Sequence, residues 1–220
     1  MERLLTLLRQ PAFAVSATVL GLVVLLTLRP GADPDLFART AVGRLVELSG
    51  GVVHQDPFAY TPRLEQWVDH EWLSGVVFYQ VARVGGDAGL LLLDLVLMLA
   101  TVVLVAMAQR ETMGGRTWSA PWLFLAMVPA FGVWISVVRS RTFTFLFLAI
   151  LLLALVRWRE KRTGWFLWVI PALFVPWANM HGGFVVGLGL LGTAAVAVTV
   201  ASPRRASVPV SYTHLTLPTI

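Results

Sequence analysis

The sequence of 220 residues contains no cysteine, which excludes a disulfide framework, a thiolate metal site and a cysteine nucleophile. Charged residues are also scarce: they make up 13% of the chain, whereas a soluble domain has about 25%. Hydrophobic residues account for 57%. Because so few charges cannot cover a water-facing surface, lipid must be the solvent for much of the chain.

The chain also lacks the short motifs of several soluble enzyme classes, namely a P-loop, a GxSxG elbow and a dinucleotide-binding fingerprint. Its formal charge of +5 does not indicate a nucleic-acid partner, because the basic residues lie in short clusters between apolar runs. This spacing is typical of a membrane protein, and the partner it predicts is the lipid bilayer.

The apolar runs predict an all-α, polytopic transmembrane bundle, since roughly twenty apolar residues cross a bilayer as a helix. The first run ends in Leu-Arg-Pro-Gly rather than at a small-residue cleavage site, so we interpret it as an uncleaved span. The fifth is short and contains Pro171 and Pro176. About six spans are predicted, at residues 12–28, 88–108, 118–138, 142–158, 165–178 and 183–201.

Lysine and arginine in the short loops predict the orientation, because cytoplasmic loops carry an excess of both. One side would hold Arg3, Arg9, Arg110, Arg116, Arg157, Arg159, Lys161, Arg162, Arg204 and Arg205. The N-terminus is then cytoplasmic, and the long loop at 30–86 lies outside the plasma membrane. Polar clusters near residues 33, 140 and 180 emerge on that same outer face, where we expect them to converge.

The long outer loop is expected to carry surface helices. Residues from Leu36 to Leu48 have helical apolar spacing, and Gly50-Gly51 would end that helix. A second helix is predicted from His70 to Val84, with Asp69 as its cap and Gly85-Gly86 as its stop.

Asp33 and Asp35 follow the first predicted span and are the candidate catalytic residues. Two carboxylates one residue apart can share a divalent cation, or one can act as a base towards an acceptor hydroxyl. The alternative is that Asp33 is an ordinary helix N-cap with Pro34 at the first helical position.

Acids and histidines elsewhere in the loop are candidates for substrate binding, namely Asp56, His70 and Glu71. We favour a solvated loop anchored by interfacial aromatic residues over a metal site, because the spacing fits no known ligand motif. On a helix, the adjacent His70 and Glu71 would point about 100° apart and would not converge.

Two further clusters lie between later spans and are also candidates for substrate binding. Arg139 and Arg141 can bind a lipid phosphate, or can reach lipid headgroups as surface arginines do; the sequence leaves both open. His181 can transfer a proton or bind phosphate, whereas Asn179 can also be a helix C-cap before the glycines that follow.

Several of these motifs, read in order, resemble a family of bacterial polytopic membrane proteins grouped with the GT-C-type glycosyltransferases. They are ADPDLFARTAVGRLVELSGGVVHQDPFAYT, WVDHEWL, GGDAGLLLL, VRSRTFTFLFL and WANMHGGFVVGLGLL. The resemblance implies a bacterial plasma-membrane protein with a catalytic or metal-holding acid at Asp33 or Asp35. Its donor would be a sugar linked to polyprenyl phosphate. The divalent cation, if the acid holds one, would be Mg or Mn. Where the family has Arg-Pro, this chain has Arg139-Ser140 or Arg141-Thr142.

Sugar transfer to an extracytoplasmic acceptor is therefore the first functional hypothesis. The alternative is a non-enzymatic protein, a transporter or assembly subunit that binds a partner through the outer loop. Residues 210–219, VSYTHLTLPT, resemble a translated sequencing adapter, so 210–220 are expected to be a non-native tail and 1–209 the N-terminal part of a GT-C-like domain.

Overall fold

A computed structural model describes residues 17–18, 21–22, 24–25, 33–60, 66–112, 137–161, 164 and 168–201. Those residues form helices and no strand, so the all-α prediction is confirmed for them. The helices are α1 (Pro34–Ser49), α2 (Trp72–Thr112), α3 (Arg141–Lys161), α4 (Val169–Met180) and α5 (Phe184–Ala201).

Three of these helices, α2, α3 and α5, are long and apolar enough to cross a bilayer. They match the predicted spans at 88–108, 142–158 and 183–201. The predicted fifth span is the 12-residue helix α4, which is too short to cross alone. The span at 12–28 lies outside the described residues except for three helical pairs, and the span at 118–138 does so except for its last two residues. The tail at 210–220 also lies outside them.

Helix α1 forms as its sequence predicts. The Asp33 carboxylate accepts a hydrogen bond from the Asp35 backbone N–H at 3.0 Å, and Pro34 occupies the first turn. At the other end Gly50 is left-handed, with φ 69°, and its N–H donates to the Glu47 carbonyl. The predicted N-cap and the predicted glycine stop are therefore both confirmed.

The predicted stop at Gly85-Gly86 is confirmed, because helical geometry breaks at Gly86. Gly86 leaves helical geometry, with φ 56° and ψ −148°, but the chain resumes a helix at once. The two segments, 72–85 and 87–112, fold back on each other, because Phe78 and Leu90 pack in one core with Val138 and Phe143. One glycine thus turns the chain sharply without a loop, since the apolar run after it is itself helix-forming.

The second segment of α2, residues 87–112, runs in the same direction as α3. Asp94 contacts Thr142 near one end of the pair, and Glu111 contacts Arg157 near the other. Helix α4 runs the opposite way, because Trp177, in its last turn, donates a hydrogen bond to Thr144 near the start of α3. A span between α2 and α3, as the sequence predicts, requires this parallel arrangement. The start of α2 lies beside the start of α3 and the end of α4, because Ser74 Oγ is 2.9 Å from Ser140 Oγ and Trp72 Nε1 donates to Asn179 near the end of α4.

The chain divides into two units, one that ends at Phe184 and one that begins at Val185. Nearly all of α5 belongs to the second unit, and most of its apolar side chains are exposed. A helix that is apolar on all sides and exposed is the expected form of a lipid-facing span.

The sharp turn at Gly86 predicts a large difference between two adjacent glycines. Gly86→Ala should lower the free energy of unfolding by about 1–3 kcal/mol, because its backbone conformation is almost restricted to glycine. Gly85→Ala is the matched control, since its φ is not positive and open space surrounds both positions. Thermal unfolding in detergent measures the difference, and equal midpoints for the two variants would contradict the turn.

Candidate functional site

A cavity of about 320 Å³ lies where the starts of α1, α2 and α3 meet the end of α4. Its volume is in the range of small-molecule pockets. The side chains that line it are Asp35, Leu36, Arg39, Glu71, Phe78, Arg139, Ser140, Arg141 and His181. Five of the nine candidates named from the sequence are among them: Asp35, Glu71, Arg139, Arg141 and His181.

The two candidate catalytic acids occupy different environments. Asp33 is only 4% exposed, caps α1 and forms an ion pair with Arg139. The Asp35 side chain is 69% exposed, lines the cavity and pairs with another nitrogen of the same guanidinium. Asp33 therefore holds Arg139 from the buried side, whereas Asp35 is the carboxylate that a ligand in the cavity can reach.

Arg39 also lines the cavity, although it is not among the candidates named from the sequence. Its Nη1 lies 2.5 Å from the buried Asp69 carboxylate, and its Nε lies 3.3 Å from Glu71 Oε2. Its position four residues after Asp35 was a usable signal, because residues one helical turn apart share a face.

Arg141 begins α3 and is supported from within the bundle. It interacts electrostatically with the carboxylate of Asp94 on α2, which is 2% exposed. That carboxylate accepts a hydrogen bond from Thr142 Oγ1 at 2.8 Å. The buried acid thus holds the start of α3 against α2, next to the cavity.

His70 and Glu71 do converge, contrary to the expectation that they would point apart. Both residues precede α2, which begins at Trp72, so the helical angle between neighbours does not apply. Glu71 Oε1 lies 3.7 Å from His70 Nε2 and 3.9 Å from His181 Nε2. Glu71 is therefore flanked by the two imidazoles on one side and by Arg39 on the other.

Asn179 and Asp56 lie outside the cavity lining. Asn179 accepts a hydrogen bond from Trp72 Nε1 at 2.8 Å and donates to the Val175 carbonyl, so it ties the end of α4 to the start of α2. It is not the C-cap of α4, which is His181. Asp56 accepts the Phe58 backbone N–H at 2.9 Å in a local turn.

His181 is held by a chain of hydrogen bonds from α3 and α4. Its Nδ1 lies 2.9 Å from Thr144 Oγ1 and accepts the Gly183 backbone N–H at 2.9 Å. Burial lowers the pKa of His181; the Glu71 carboxylate opposes that shift, and the positive charges of His70, Arg141 and Arg139 add to it.

The donor set does not fit a divalent cation. Among the residues that the structure describes, no three histidine, aspartate or glutamate side chains come together as a metal-ligand group. Asp33 and Asp35 both bind the Arg139 guanidinium instead. Arginine therefore supplies the positive charge of this cavity.

The cavity is suited to a phosphate-like anion. Three guanidinium groups line it against two carboxylates, those of Asp35 and Glu71. The N-termini of α1, α2 and α3 also lie around it, and helix N-termini carry partial positive charge. Planar guanidinium groups bind phosphate oxygens through paired hydrogen bonds.

A second, largely apolar groove of about 510 Å³ begins at Leu36, which also lines the cavity. It runs between α1 and α2, and its lining is mostly aliphatic and aromatic, with Phe37, Tyr79, Ala82, Leu90, Leu91 and Val138 among its residues.

Comparison with family models, with curated proteins and with solved structures finds no significant match to this chain. The resemblance to GT-C glycosyltransferases therefore stays a prediction.

The lowered pKa of His181 predicts a pH dependence of stability. Below the ordinary value of 6.5 the unfolded chain takes up a proton that the folded chain resists. The stabilisation is thus complete above that value and is lost as pH falls through the folded-state pKa. Thermal unfolding between pH 8 and 5 should show a shallower loss for His181→Gln than for wild type. His54→Gln, an exposed histidine outside the cavity, is the control, and parallel curves for wild type and His181→Gln would contradict the prediction.

Proposed function

We propose that this protein is a membrane glycosyltransferase of GT-C type. It transfers a sugar from a polyprenyl-phosphate donor to a hydroxyl acceptor on the extracytoplasmic side of the bacterial plasma membrane. The observation that carries the proposal is the arginine-lined cavity at one end of α2 and α3, two helices apolar enough to cross a bilayer.

The position of the cavity supports a lipid-linked donor. A water-soluble substrate would not require a site at the end of membrane helices, whereas a lipid donor presents its phosphate at that depth. The apolar groove that shares Leu36 with the cavity offers room for the first part of a prenyl chain. In this arrangement the cavity holds the phosphate and the sugar.

The reaction we propose is a single displacement with inversion. The acceptor oxygen attacks the anomeric carbon, and its proton passes to the Asp35 carboxylate. The bond between the anomeric carbon and the phosphate oxygen breaks, and its electron pair leaves with polyprenyl phosphate. Arg139, Arg141 and Arg39 stabilise the charge that develops on that phosphate.

Arg139 links donor binding to the base. Asp35 now binds the Arg139 guanidinium, which a phosphate in the cavity would also bind. A bound donor therefore competes with Asp35 for this group and frees the carboxylate for the acceptor. Asp33 keeps Arg139 in place during the exchange, because it holds a different nitrogen of that guanidinium from below.

The test is transfer of a radiolabelled sugar from polyprenyl phosphate by the protein in proteoliposomes, with an envelope extract as the source of acceptor. Arg139→Gln should lower transfer by about a hundredfold, since it removes a donor aimed at the leaving phosphate. Arg83→Gln is the matched control, because Arg83 pairs with Glu47 away from the cavity. Equal rates for the two variants would contradict the assigned role, and no transfer by wild type from any donor would overturn the function.

One observation favours the transporter alternative: Asp94 is a buried acid within the apolar helix α2. Acids within spans often mark ion or solute pathways. Uptake of a solute into proteoliposomes, without dependence on a glycolipid, would support that function. An assembly subunit would show neither uptake nor transfer, but would retain a partner during purification.

A further inference from the structure

Thr144 and Trp177 have no part in the chemistry described so far, yet both are buried directly behind His181. Trp177 Nε1 lies 2.9 Å from Thr144 Oγ1. An indole N–H can only donate, so the Thr144 oxygen accepts that hydrogen bond. The hydroxyl hydrogen of Thr144 then remains available to the atom on its other side, which is His181 Nδ1 at 2.9 Å.

The Gly183 backbone fixes the direction of the second contact. Its N–H donates to His181 Nδ1 at 2.9 Å, and a backbone amide has no other role than donor. Nδ1 therefore holds a lone pair, because a proton there would face the amide hydrogen. A neutral imidazole with a bare Nδ1 carries its hydrogen on Nε2.

Gly183 is required for this arrangement because the space beside it is already filled. A Cβ at this position would lie 2.4 Å from Thr144 Oγ1 and 2.8 Å from His181 Nδ1. Any other residue would separate the three groups. The sequence His181-Gly182-Gly183 thus has a specific use here, which is to bring a main-chain donor onto the imidazole.

The free end of the imidazole is directed at charged groups from three parts of the chain. Nε2 lies 3.9 Å from Glu71 Oε1, and His70 stands on the other side of that carboxylate. From the start of α3, Arg139 and Arg141 line the same cavity, and from α1 Asp35 and Arg39 do so. An N–H at this end meets acceptors, whereas an added positive charge would meet the arginines.

We infer that Thr144 and Trp177 are positioning residues that hold His181 as the neutral tautomer with its hydrogen on Nε2. His181 then donates a hydrogen bond into the cavity and does not act as a general base. This assignment depends on geometry alone. The identity of the acceptor rests on the proposed function: it is an oxygen of the donor phosphate, which a neutral N–H stabilises beside the three arginines.

Nitrogen-15 NMR of labelled histidine in the purified protein in detergent tests the tautomer without any substrate. The chain has four histidines, so the His181 signals are assigned by their loss in His181→Gln. At neutral pH wild type should show a protonated Nε2 and a bare Nδ1. Thr144→Ser keeps the hydroxyl and should give the same spectrum. A wild-type His181 with its hydrogen on Nδ1, or cationic at neutral pH, would overturn the inference.

Thr144→Val is the variant that removes only the hydroxyl at nearly constant volume. Loss of the donor to Nδ1 destabilises the neutral imidazole, so the His181 titration midpoint should move to higher pH. In the transfer assay the acidic limb of the rate profile should move the same way, and Thr144→Ser should restore it. An unchanged midpoint in folded Thr144→Val would overturn the role of Thr144. If that variant does not fold, Trp177→Phe, which removes the donor to Thr144, should move the midpoint in the same direction, and an unchanged midpoint there would overturn the relay.

The two proposals fail in distinguishable ways. The expected wild-type spectrum without sugar transfer would leave the tautomer standing and remove the proposed function. Transfer together with a bare Nε2 would keep the function and overturn the tautomer assigned to His181.

Discussion

Asp35→Asn is expected to lower sugar transfer by about 10²–10⁴-fold, the range that a positioned acid or base contributes. The amide has nearly the same shape as the carboxylate and can still accept a hydrogen bond from Arg139, but it cannot take a proton. Because the Asp35 side chain is exposed at the cavity mouth, the change should leave the unfolding midpoint almost unaltered. The measurements are turnover from a polyprenyl-phosphate sugar and thermal unfolding of the same preparation.

Asp33→Asn should show the opposite pattern. Asp33 is buried, and its charge supports Arg139, so its loss should lower the unfolding midpoint, with any loss of transfer following from the weakened support of Arg139. Glu47→Gln is the control for removing a carboxylate from α1, since Glu47 pairs with Arg83 and Gln80 outside the cavity. Unchanged turnover in Asp35→Asn would remove this carboxylate from the mechanism.

The local features near Asp33 were predictable because short-range rules govern them. Asp33, Pro34 and the glycines at 50–51 are ordinary start and stop signals, and α1 begins and ends where they occur. Convergence of distant clusters was also predictable, but from topology. The positive-inside pattern predicts residues 35, 139 and 181 on one face of the membrane. Loops on one face share a thin layer, so these residues are expected to lie close together.

The sequence could not reveal which side chains complete the site. Arg39 lies on the polar side of the predicted surface helix, and its partners Asp69 and Glu71 are about thirty residues further along the chain. Thr144 and Trp177 lie within apolar runs, where a hydroxyl and an indole are unremarkable in the sequence. Their role depends on the antiparallel packing of α4 against α3, which no local pattern encodes.

The reversal of the chain within α2 is a second feature that the sequence predicts only in part. A Gly85-Gly86 pair predicts an interruption but not its angle, and the angle decides whether 72–85 continues the span or folds onto it. The return of 72–85 brings Phe78 against Phe143, with ring centroids 5.7 Å apart. That packing places the start of α2 at the cavity, so the shape of the site depends on one backbone conformation.

Gly43→Ala and Gly75→Ala are each expected to separate α1 from α2. The cavity should then be lost, because residues of both helices line it. A Cβ on Gly43 would lie 2.0 Å from the Gly75 carbonyl oxygen, and a Cβ on Gly75 would lie 2.4 Å from the Arg39 carbonyl oxygen. Both obstacles are backbone atoms, which cannot rotate away as a side chain can. The helices must therefore move apart, and overpacking of this kind costs about 1–3 kcal/mol or more.

The separation of the two helices should also lower sugar transfer, because it displaces Arg39. This residue lies one turn before Gly43 on the same face of α1, and its contacts with Asp69 and Glu71 require the helices to touch. Transfer should thus fall together with the unfolding midpoint. Gly189→Ala is the matched control, because it is a helical glycine with nothing within 4 Å of its added Cβ, and alanine should stabilise it slightly. If Gly43→Ala and Gly75→Ala unfolded at the wild-type temperature with full activity, α1 could not cross α2 at these glycines, and a cavity built from both helices would have no basis.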